Sequence, residues 1–518
     1  MKTNVQAKQR ERRESGTFGL SEPSRGEEPD SLTRTFFRYT LSDIAHFSRV
    51  LVGRPLRSYQ LAVARAVLAS VRQREGAIFT VEMARQMGKN ELSAHLEAYL
   101  LYRHQQRGGT IVKCAPTLSP QTLVSRLRLE SVLDRPWLAP YWQRAHGYMV
   151  TVGKARVMFL SAHEQSNVVG ATADLLLEVD EAQDVDEEKF AKEFLPMATA
   201  QNATIVLYGT PWTQDTLLAK YKALNLAHEE NTGERRHFSF PWQVGARENP
   251  RYGAAVKAQI RQRGEDDLVI RTQYCLEEVD DATGFFTPPL QAALQGTHAR
   301  QQQPQTDAHY VAAVDVAGED AAGANQQGRQ SRRDSTVVLI GERIWRHDPV
   351  MGFALPAVNV VNAYQWTGLP TTEQYARLVR LLGEEWRVQR AMIDATGIGD
   401  ALARFLQARL GEDRIEPFTF TAQSKSALGY DLRTLAGSGR LQLWADDGSA
   451  EYRECWQQVR RCQLALHPGN RIGFHVPAGQ GHDDYVSALA LLTRTVEAGA
   501  PPAVSVALPP EERETEGY

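Results

Sequence analysis

Short apolar runs alternate with stretches of helical periodicity along the first half of the chain. The apolar runs have the length of buried strands, and "LAVARAVLASV" ahead of them has the pattern of a helix. Because parallel strands need crossover connections, strands separated by helices predict a parallel α/β sheet. The predicted strands are "GAIFTVEM", "GTIVKCAP", "ARVMFLS", "ADLLLEVD" and "ATIVLYG".

The second half begins with two predicted strands, "HYVAAVDVAG" and "DSTVVLIGERI", joined by a loop rich in Gly, Gln and Arg. This order predicts a hairpin. Further along, "RAMIDATG" predicts a buried strand and "DDYVSALALLTRTV" an amphipathic helix. The small residues of that helix, Ser487, Ala488 and Ala490, allow close packing. We therefore expect a second α/β domain.

Three polar stretches divide the chain. Residues 1–35 and 498–518 contain too few large apolar residues to offset the entropy of ordering, so we predict that both tails are disordered. The stretch "QGTHARQQQPQTD" is the clearest internal linker. These features predict one domain over 36–290, a linker over 291–306 and a second domain over 307–497.

Composition excludes several classes of protein. At 518 residues the chain exceeds what one core usually serves, and a net charge of −3 gives no bulk attraction to polyanions. Any nucleic-acid contact must come from local basic surface. The 4 cysteines are scattered, which favours a reducing cytosol and no zinc module. The sequence has no apolar run long enough to span a membrane and no export signal, so neither is expected.

The stretch "ARQMGKNE" nearly matches the phosphate-binding pattern G-x-x-x-x-G-K-[ST]. It departs at Met83, in place of the first glycine, and at Asn90, in place of Ser or Thr. It also lies between a predicted strand and a predicted helix, as a P-loop does, so backbone N–H groups can cradle phosphates while Lys89 reaches the β and γ oxygens. The predicted nucleotide contacts in this loop are Arg85, Gln86, Met87, Gly88, Lys89 and Asn90.

The departures have chemical consequences. Asn90 offers Mg²⁺ an amide oxygen or leaves its coordination to water. Met83 lacks the freedom of glycine at positive φ, so the loop must begin differently. Arg85 adds a guanidinium that can stabilise transferred charge, as an arginine finger does.

A second acidic motif follows in "ADLLLEVDEAQD", where a predicted strand ends at Asp180 and Glu181. In this position Asp180 can hold Mg²⁺ through water, and Glu181 can orient or deprotonate the attacking water. The alternative is a strand that runs into an acidic helix start, because "DVDEEKF" comes next.

Two flanking motifs are compatible with a nucleotide site. "LRSYQ" contains Arg57, Tyr59 and Gln60. The ring of Tyr59 can stack on adenine, and the amide of Gln60 can bond to the edge of the base. "LYGTPW" ends the next strand with Thr210, which can sense the γ-phosphate. A surface turn and a proline-terminated strand remain the alternatives.

Acidic residues of the second half form another candidate site. Asp315 lies in a predicted strand, Asp394 ends another, and His482, Asp483 and Asp484 begin a helix. Carboxylates are costly to bury without positive compensation. Two divalent metals about 3.5 to 4 Å apart would supply it and clamp a phosphodiester.

Simpler explanations exist for each of these acids. Asp483 and Asp484 can favour the helix dipole, and Asp394 can cap the turn "DATGIGD". Together, however, they match the arrangement of RNase H-like nucleases. Asp334 and Asp400 are further candidates that we interpret as structural residues rather than secondary ligands.

The order of these motifs resembles the large terminase subunit of tailed bacteriophages and prophages over residues 36–497. The order is specific, although no single motif is. In that family the loop has the form R-Q-x-G-K, so the missing glycine is expected, whereas Asn90 departs from the family. The stretch "RTQYCLEEVDDATGFF" is similar to the family's junction into the nuclease.

The resemblance implies a P-loop (RecA/ASCE-like) ATPase domain followed by an RNase H-like nuclease domain. It makes Lys89 the phosphate lysine, Arg85 the loop arginine, Asp180 the metal-side acid and Glu181 the catalytic glutamate. The segment around Thr210 takes the place of the coupling motif. The implied nuclease ligands are Asp315, Asp394 and Asp484, with Asp483 as an alternate.

The resemblance also implies cofactors and partners. ATP is the substrate, with one Mg²⁺ at the ATPase site and two Mg²⁺ or Mn²⁺ at the nuclease site. The partners are double-stranded DNA, a portal protein, a procapsid and a small terminase subunit, in the cytoplasm of a bacterial host. The chain would form a ring on the portal or a monomer when free.

Two other functions remain open. One is a helicase-like or host-defence ATPase fused to a nuclease, although such helicases usually carry a second RecA-like domain where this chain has an acidic strand. The other is a binding module with degenerate sites and no ATPase activity.

Overall fold

A computed structural model describes residues 31–163, 166, 170–280, 284–317, 335–347, 354–397, 399–477 and 479–496. The chain divides into two compact units. The first comprises Met1–Pro250 with Tyr274–Glu277, and the second comprises Arg251–Gln273 with Glu278–Tyr518. No described helix is long and apolar enough to cross a membrane.

The first unit contains helices α1 to α9 and strands β1 to β8. The helices are α1 Ser31–Thr40, α2 Ile44–His46, α3 Ser58–Gln73, α4 Lys89–His104, α5 Leu123–Leu133, α6 Glu187–Lys189, α7 Leu195–Thr199, α8 Leu217–Thr232 and α9 Trp242–Glu248. The strands are β1 Ile78–Met83, β2 Gly109–Ala115, β3 Trp142–Ala145, β4 Met149–Val152, β5 Ala155–Ser161, β6 Leu176–Val179, β7 Thr204–Gly209 and β8 His237–Phe240.

Within the described residues, these strands form one sheet in the order β3-β4-β5-β2-β6-β7-β1-β8. Six neighbouring strands of this sheet are parallel, in the order β5-β2-β6-β7-β1-β8. Strands β3 and β4 extend the sheet beyond β5 as antiparallel strands. The five strands expected from the sequence, β1, β2, β5, β6 and β7, are confirmed. Three further strands, β3, β4 and β8, each four residues long, were missed.

The core of the first unit explains why its strands are apolar on both faces. Val112, Leu177 and Ile205 from neighbouring strands pack with Phe190 and Phe194 in one buried cluster. A parallel sheet is covered by helices on both faces, so its strands lack a polar side. The carboxyl ends of β1, β6 and β7 consequently meet at one edge of the sheet.

The second unit contains helices α10 to α17 and strands β9 to β16. The helices are α10 Pro250–Arg263, α11 Leu268–Ile270, α12 Pro288–Leu294, α13 Thr371–Leu378, α14 Gly399–Leu410, α15 Ala422–Gly437, α16 Ala450–Arg461 and α17 Asp484–Val496. The strands are β9 His309–Asp315, β10 Ser335–His347, β11 Ala354–Thr367, β12 Arg390–Asp394, β13 Ile415–Phe418, β14 Leu441–Gln442, β15 Gln463–His467 and β16 Arg471–His475.

The main sheet of the second unit has the order β13-β12-β9-β10-β11-β14 among the residues that the structure describes. Strands β9, β10 and β11 are antiparallel neighbours, whereas β12 and β13 continue the sheet in parallel. The expected hairpin, the strand β12 and the helix α17 are confirmed. Helix α17 packs against β9 and β10, and its Ser487, Ala488 and Ala490 are buried.

The units divide earlier in the chain than the predicted boundary at residue 290. Helices α10 and α11 belong to the second unit, where Asp267 accepts a hydrogen bond of 2.9 Å from the Thr434 hydroxyl. The stretch predicted as a linker, 291–306, is also joined to the second unit. Arg300 donates to Asn362 Oδ1 at 2.8 Å, and Gln301 N donates to Val361 O at 2.9 Å.

Several predictions fall outside the described residues. These are the disorder of residues 1–30 and 498–518, the loop over 318–334 and the role of Asp334 within it. The prediction of disorder is wrong for residues 31–35, which belong to helix α1, Ser31–Thr40.

Candidate functional site

The loop between β1 and α4, which we call the phosphate loop after its predicted role, turns tightly ahead of the helix. Met87 N donates to Ala84 O at 3.1 Å, and both Gln86 (φ 63°) and Gly88 (φ 90°) are left-handed. A Cβ on Gly88 would lie 2.7 Å from Gln60 Nε2, so this glycine is needed both for its φ and for the close approach. Met83 pairs with Phe240 as the last residue of β1, so its position does not call for glycine.

Tyr59 and Gln60 lie against this loop and are almost fully buried. Tyr59 OH donates to Met87 O at 2.9 Å, and Gln60 Nε2 donates to Gly88 O at 3.0 Å. Arg57 reinforces both, because its Nη1 donates to Tyr59 OH and its backbone N donates to Gln60 Oε1. The two side chains therefore support the loop, while their contact with adenine stays a prediction.

Lys89 connects the loop to the ends of two further strands. Its Nζ lies 3.1 Å from Glu181 Oε1, just after β6. The other oxygen of Glu181 accepts a hydrogen bond of 2.8 Å from Gln183 Nε2, and Gln183 Oε1 accepts one of 3.3 Å from Thr210 N, just after β7. Sequence reasoning missed Gln183, because only the fold shows that its amide spans Glu181 and Thr210.

The backbone of Glu181 is strained. Its φ of 47° is left-handed, which is uncommon for a residue with a long side chain. Such strain persists where the surroundings enforce it, and it concentrates at functional sites. Here it turns the Glu181 carboxylate towards Lys89.

Asp180 and Glu181 have opposite pKa shifts although they are adjacent. Burial raises the pKa of Asp180 and the charge of Glu181 adds to the increase, although Lys113 and, less strongly, Lys89 oppose it. Burial also acts to raise the pKa of Glu181, but Lys89 and the Gln183 amide lower it overall. A divalent cation beside Asp180 would favour its charged form, whereas Lys89 and Gln183 already favour the charged form of Glu181.

Arg85 and Asn90 flank these groups. Arg85 is exposed on the loop and is close enough to Glu181 to contribute to lowering its pKa. Asn90 is half-exposed in the first turn of α4, next to Lys89. Both therefore lie where the proposed nucleotide would bind.

A fully buried polar network lies beneath the loop. Lys113 Nζ is 3.6 Å from Glu97 Oε1, and Ser93 Oγ is 2.8 Å from Glu178 Oε2. Tyr208 OH donates to Glu178 Oε1 at 2.9 Å. The network joins α4, β2, β6 and β7. Sequence reasoning missed it, although a lysine within "GTIVKCAP" and a glutamate within "ADLLLEVD" interrupt otherwise apolar strands.

Charge within this network is partly compensated. Burial by itself would lower the pKa of Lys113, but Glu178, Glu97 and Asp180 raise it overall. Burial raises the pKa of Glu97 well above its usual range, and Glu178 adds to that increase. The charge of this one lysine therefore compensates part of the charge of the neighbouring carboxyl groups, which limits the cost of burying them.

Asp315 and Asp394 end adjacent parallel strands of the second unit. Ile393 pairs with Val314, so Asp394 and Asp315 occupy neighbouring positions on strands about 4.8 Å apart. Asp484 begins α17, which packs on β9, and its Oδ2 accepts a hydrogen bond of 3.1 Å from Ser335 N. The structure thus brings three predicted acids to one end of the sheet.

The aspartate carboxyl groups at this end of the sheet repel one another. Burial raises the pKa of Asp315 well above its usual range, and Asp484, Asp394 and Asp483 raise it further, while Lys425 opposes them. Burial likewise raises the pKa of Asp394. Asp483 Oδ2 lies 3.8 Å from Lys425 Nζ. The excess negative charge is of the kind that a divalent cation neutralises.

The side chains are not gathered around a single point. In the described part of the chain, no three Asp, Glu, His or Cys side chains are arranged to reach one metal ion. Asp394 Oδ1 instead accepts a hydrogen bond of 2.8 Å from Thr396 N, the turn-capping role considered above. The donor chemistry nevertheless suits Mg²⁺ or Mn²⁺, which prefer carboxylate oxygens.

Two other residues singled out in the sequence, Asp400 and His482, have different surroundings. Asp400 forms an exposed ion pair of 3.1 Å with Arg404 in α14, as a structural residue would. His482 is half-buried next to Asp483 at the start of α17.

Comparison with known proteins shows a likeness to solved structures of large terminases. No protein-family model and no curated protein matches the chain. The large terminase of a thermophilic bacteriophage (crystal form 2) aligns with a TM-score of 0.51 at 12% sequence identity, covering 86% of this chain and 100% of that chain. The chain has the large-terminase fold.

Two other large-terminase structures align with lower TM-scores. That of bacteriophage HK97 aligns at 0.36 and 12% identity, covering 88% of this chain and 99% of that chain. The large-terminase nuclease of the thermophilic phage G20c, with bound magnesium, aligns at 0.30 and 21% identity, covering 42% of this chain and 98% of that chain.

Proposed function

We propose that the protein is the motor subunit of a viral DNA-packaging machine, which hydrolyses ATP to move double-stranded DNA into a procapsid and cuts concatemeric DNA. The observation that carries this proposal is the ion pair between Lys89 and Glu181 at the phosphate loop. A large-terminase fold that also holds four interacting carboxylates in its second unit supports the nuclease part.

In the proposed ATPase cycle, the triphosphate takes the place of Glu181 as the partner of Lys89. The released carboxylate then orients and deprotonates the attacking water, and separation from Lys89, the main influence that lowers its pKa, makes it a stronger base. Gln183 holds Glu181 and also contacts Thr210 N, so a shift of Glu181 on hydrolysis moves the end of β7. In this way ATP hydrolysis would be coupled to movement of the protein.

Other residues complete the proposed nucleotide site. Asp180 would hold Mg²⁺ through water, with Asn90 as a second oxygen donor, and Arg85 would stabilise the transferred charge. Backbone N–H groups of the loop would bind phosphate at the start of α4. The proposed nucleotide contacts are Tyr59, Gln60, Arg85, Gln86, Met87, Gly88, Lys89, Asn90, Asp180 and Thr210.

In the proposed nuclease site, Asp315, Asp394 and Asp484 would hold two Mg²⁺ or Mn²⁺ ions, with Asp483 as an alternate ligand. Such ions supply an activated water and neutralise the leaving oxygen. Ser335 N anchors Asp484, and Lys425 faces Asp483 from α15. Because these groups address the backbone rather than base edges, cutting should be nearly independent of sequence.

The proposed partners follow from the terminase likeness. They are the portal protein and procapsid, a small terminase subunit and double-stranded DNA, in the cytoplasm of the bacterial host. Assembly as a ring on the portal, from chains that are monomers when free, belongs to the same proposal. So does the assignment of the ATPase to a domain over 36–290 and the nuclease to a domain over 307–497.

ATP hydrolysis by the wild-type chain and by Lys89→Ala tests the proposal. We expect steady Mg²⁺-dependent hydrolysis by the wild type, its loss in the variant, and faster hydrolysis when portal and DNA are added. A wild type without hydrolysis would indicate a binding module with degenerate sites. Hydrolysis stimulated by DNA but indifferent to portal would favour an ATPase–nuclease that acts without a capsid.

A further inference from the structure

A wide cavity of about 700 Å³ opens on the first unit, at the edge of the sheet opposite the phosphate loop. Its lining includes Gly109 at the start of β2 and Leu175 just before β6. These are the amino ends of parallel strands, whereas the phosphate loop follows the carboxyl end of β1. The cavity is therefore a separate site.

Arginines dominate the lining, and we refer to this site as the arginine cavity. Helix α3 supplies Arg65 and Arg72, and Arg74 follows it; helix α4 supplies Arg103, and Arg107 follows that helix. The only acidic residues in the described lining are Asp43 and Asp174. Five arginines against two aspartates leave three positive charges in excess, in a chain whose net charge is −3.

Both aspartates of the cavity have hydrogen-bond partners within the chain. Asp43 Oδ1 caps helix α2 through Ala45 N at 2.7 Å and lies 3.5 Å from Arg65 Nη2. Asp174 Oδ2 accepts a hydrogen bond of 3.0 Å from Thr110 N. Among the described residues, neither aspartate forms an ion pair with the other four arginines of the lining.

Three of the guanidinium groups have no carboxylate partner among the described residues, namely those of Arg72, Arg74 and Arg107, and all three side chains are exposed. The carboxyl ends of α3 and α4 offset about one positive charge in total, since each helix end carries roughly half a negative charge. Burial lowers the pKa of His104, and Arg103, Arg107 and Arg74 lower it further. The positive charges of these three arginines therefore act together on the same part of the cavity.

The spread of these charges indicates the shape of the ligand. Arg65 and Arg72 lie seven positions apart on α3, which is roughly 10 Å along the helix axis. A single compact anion cannot meet both ends of such a row, whereas the repeated phosphates of a nucleic-acid strand can. Guanidinium groups bind phosphate in a bidentate manner, and phosphate contacts carry no sequence information.

We propose that the arginine cavity binds the phosphate backbone of double-stranded DNA. This inference rests on the proposed function, in which DNA is the substrate that moves, and it locates one grip on the first unit. Helix α4 begins with Lys89 at the phosphate loop and ends beside Arg103 in the cavity, a span of roughly 24 Å. A displacement of α4 on nucleotide binding would therefore move part of the grip.

The salt dependence of DNA binding tests this inference. The full chain is titrated against a fluorescent DNA duplex of arbitrary sequence, in EDTA so that no cutting occurs, at NaCl concentrations from about 50 to 200 mM. The test variant is Arg72→Gln/Arg107→Gln. The matched control is Arg49→Gln/Arg247→Gln, which removes the same charge from two exposed arginines of the first unit that do not line the cavity.

Each lost phosphate contact lowers the slope of log K against log salt by about 0.9, so the test variant should lose about 2 from its slope and bind roughly tenfold or more weakly. The control should match the wild type. Equal losses in both variants, or none in the test variant, would overturn the inference. So would displacement of the duplex from wild type, but not from the test variant, by inorganic tripolyphosphate at an equal phosphate concentration, since that indicates a compact-anion site. ATP hydrolysis by the wild type without DNA reports separately on the proposed function.

Discussion

Lys89 Nζ and Glu181 Oε1 lie 3.1 Å apart and hold each other at the mouth of the phosphate loop. The lysine is the group expected to meet phosphate, and the glutamate is the group expected to activate water. While they are paired, each has its charge satisfied and neither is available for chemistry. In the proposed cycle the triphosphate breaks this pair, which would couple nucleotide binding to the release of Glu181.

Replacement of Glu181 by Gln should separate binding from turnover. The amide keeps the size and can still bond to Gln183, but it cannot accept a proton from water. We expect kcat to fall by about 10²- to 10⁴-fold, the usual contribution of a general base, while ATP still binds. Steady-state hydrolysis and binding of a fluorescent ATP analogue measure the two effects. Glu188→Gln, at an exposed surface pair with Lys192, is the control. A normal turnover number for Glu181→Gln would remove Glu181 from its proposed role.

Gln183 should behave as a positioning residue. Gln183→Glu keeps the shape but replaces the amide that donates to Glu181 with a repelling carboxylate. Misplacement of a catalytic group by about 1 Å costs up to roughly 10²-fold in rate, so kcat should fall by about that amount while KM changes little. Rates measured over a range of ATP concentrations give the two constants. Gln73→Ala at the exposed end of α3 should leave both unchanged. A change in KM alone would contradict the positioning role.

Asp315→Ala should separate the two proposed activities. Loss of this carboxylate removes a metal ligand, so plasmid cleavage in Mn²⁺ should fall to background while ATP hydrolysis stays near the wild-type rate. The variant should unfold at no lower temperature in EDTA, because it also removes a buried charge that three other acids repel. Asp400→Ala breaks only an exposed pair with Arg404 and should cut normally. Equal loss of hydrolysis and cleavage in Asp315→Ala would argue against separate sites.

His237 should make the stability of the protein depend on pH. It is buried on β8 with Nδ1 3.0 Å from Thr80 Oγ1, and burial, together with Lys222 and Arg235, lowers its pKa to about 4. Glu82 lies 3.7 Å from Nε2, but its attraction is the weaker influence. The unfolded chain protonates this histidine near pH 6.5. His237 therefore does not reduce the free energy of unfolding above about pH 6.5. As the pH falls from there towards 4, the free energy of unfolding decreases by at most about 1.4 kcal/mol per pH unit, because the unfolded chain takes up a proton that the folded chain does not.

Urea unfolding at pH 7, 6 and 5 checks this dependence. The free energy of unfolding of the wild type should decrease more steeply with acidification than that of His237→Gln. His228→Gln, at a partly exposed histidine of the same unit, should follow the wild type. Parallel curves for the wild type and His237→Gln would show that His237 stays neutral in both states or is charged in both.

The sequence predicted the parts of this fold that depend on local patterns. Apolar runs located the central strands of both units, and the placement of Asp180 and Asp394 at strand ends followed from where those runs stop. Gln183 could not be found this way, since its role depends on two strand ends meeting across the sheet. Lys113 and Glu178 were overlooked because a strand that is apolar overall hides one charged residue whose partner lies on a neighbouring strand.

The arginine cavity was invisible to sequence for a related reason. Its arginines come from two helices and the turns after them, and each one resembles an ordinary surface residue in the sequence. Only the crossover order of a parallel sheet brings the ends of α3 and α4 to the same edge. Net charge gave no hint of it either, because acidic residues elsewhere balance the total.

The hydrogen bonds of Arg300 and Gln301 set a limit on where this chain can be cut for separate expression. Arg300 donates to the buried Asn362 and to Ala363 O, and Asn362 Nδ2 donates in turn to Gln301 O at 2.7 Å. A recombinant fragment that starts at residue 307 would leave these buried groups exposed to solvent or without partners, at a cost of about 1 to 3 kcal/mol for each one left unsatisfied. A fragment that starts near Arg251 keeps them, and it is the better choice for crystallisation of the second unit.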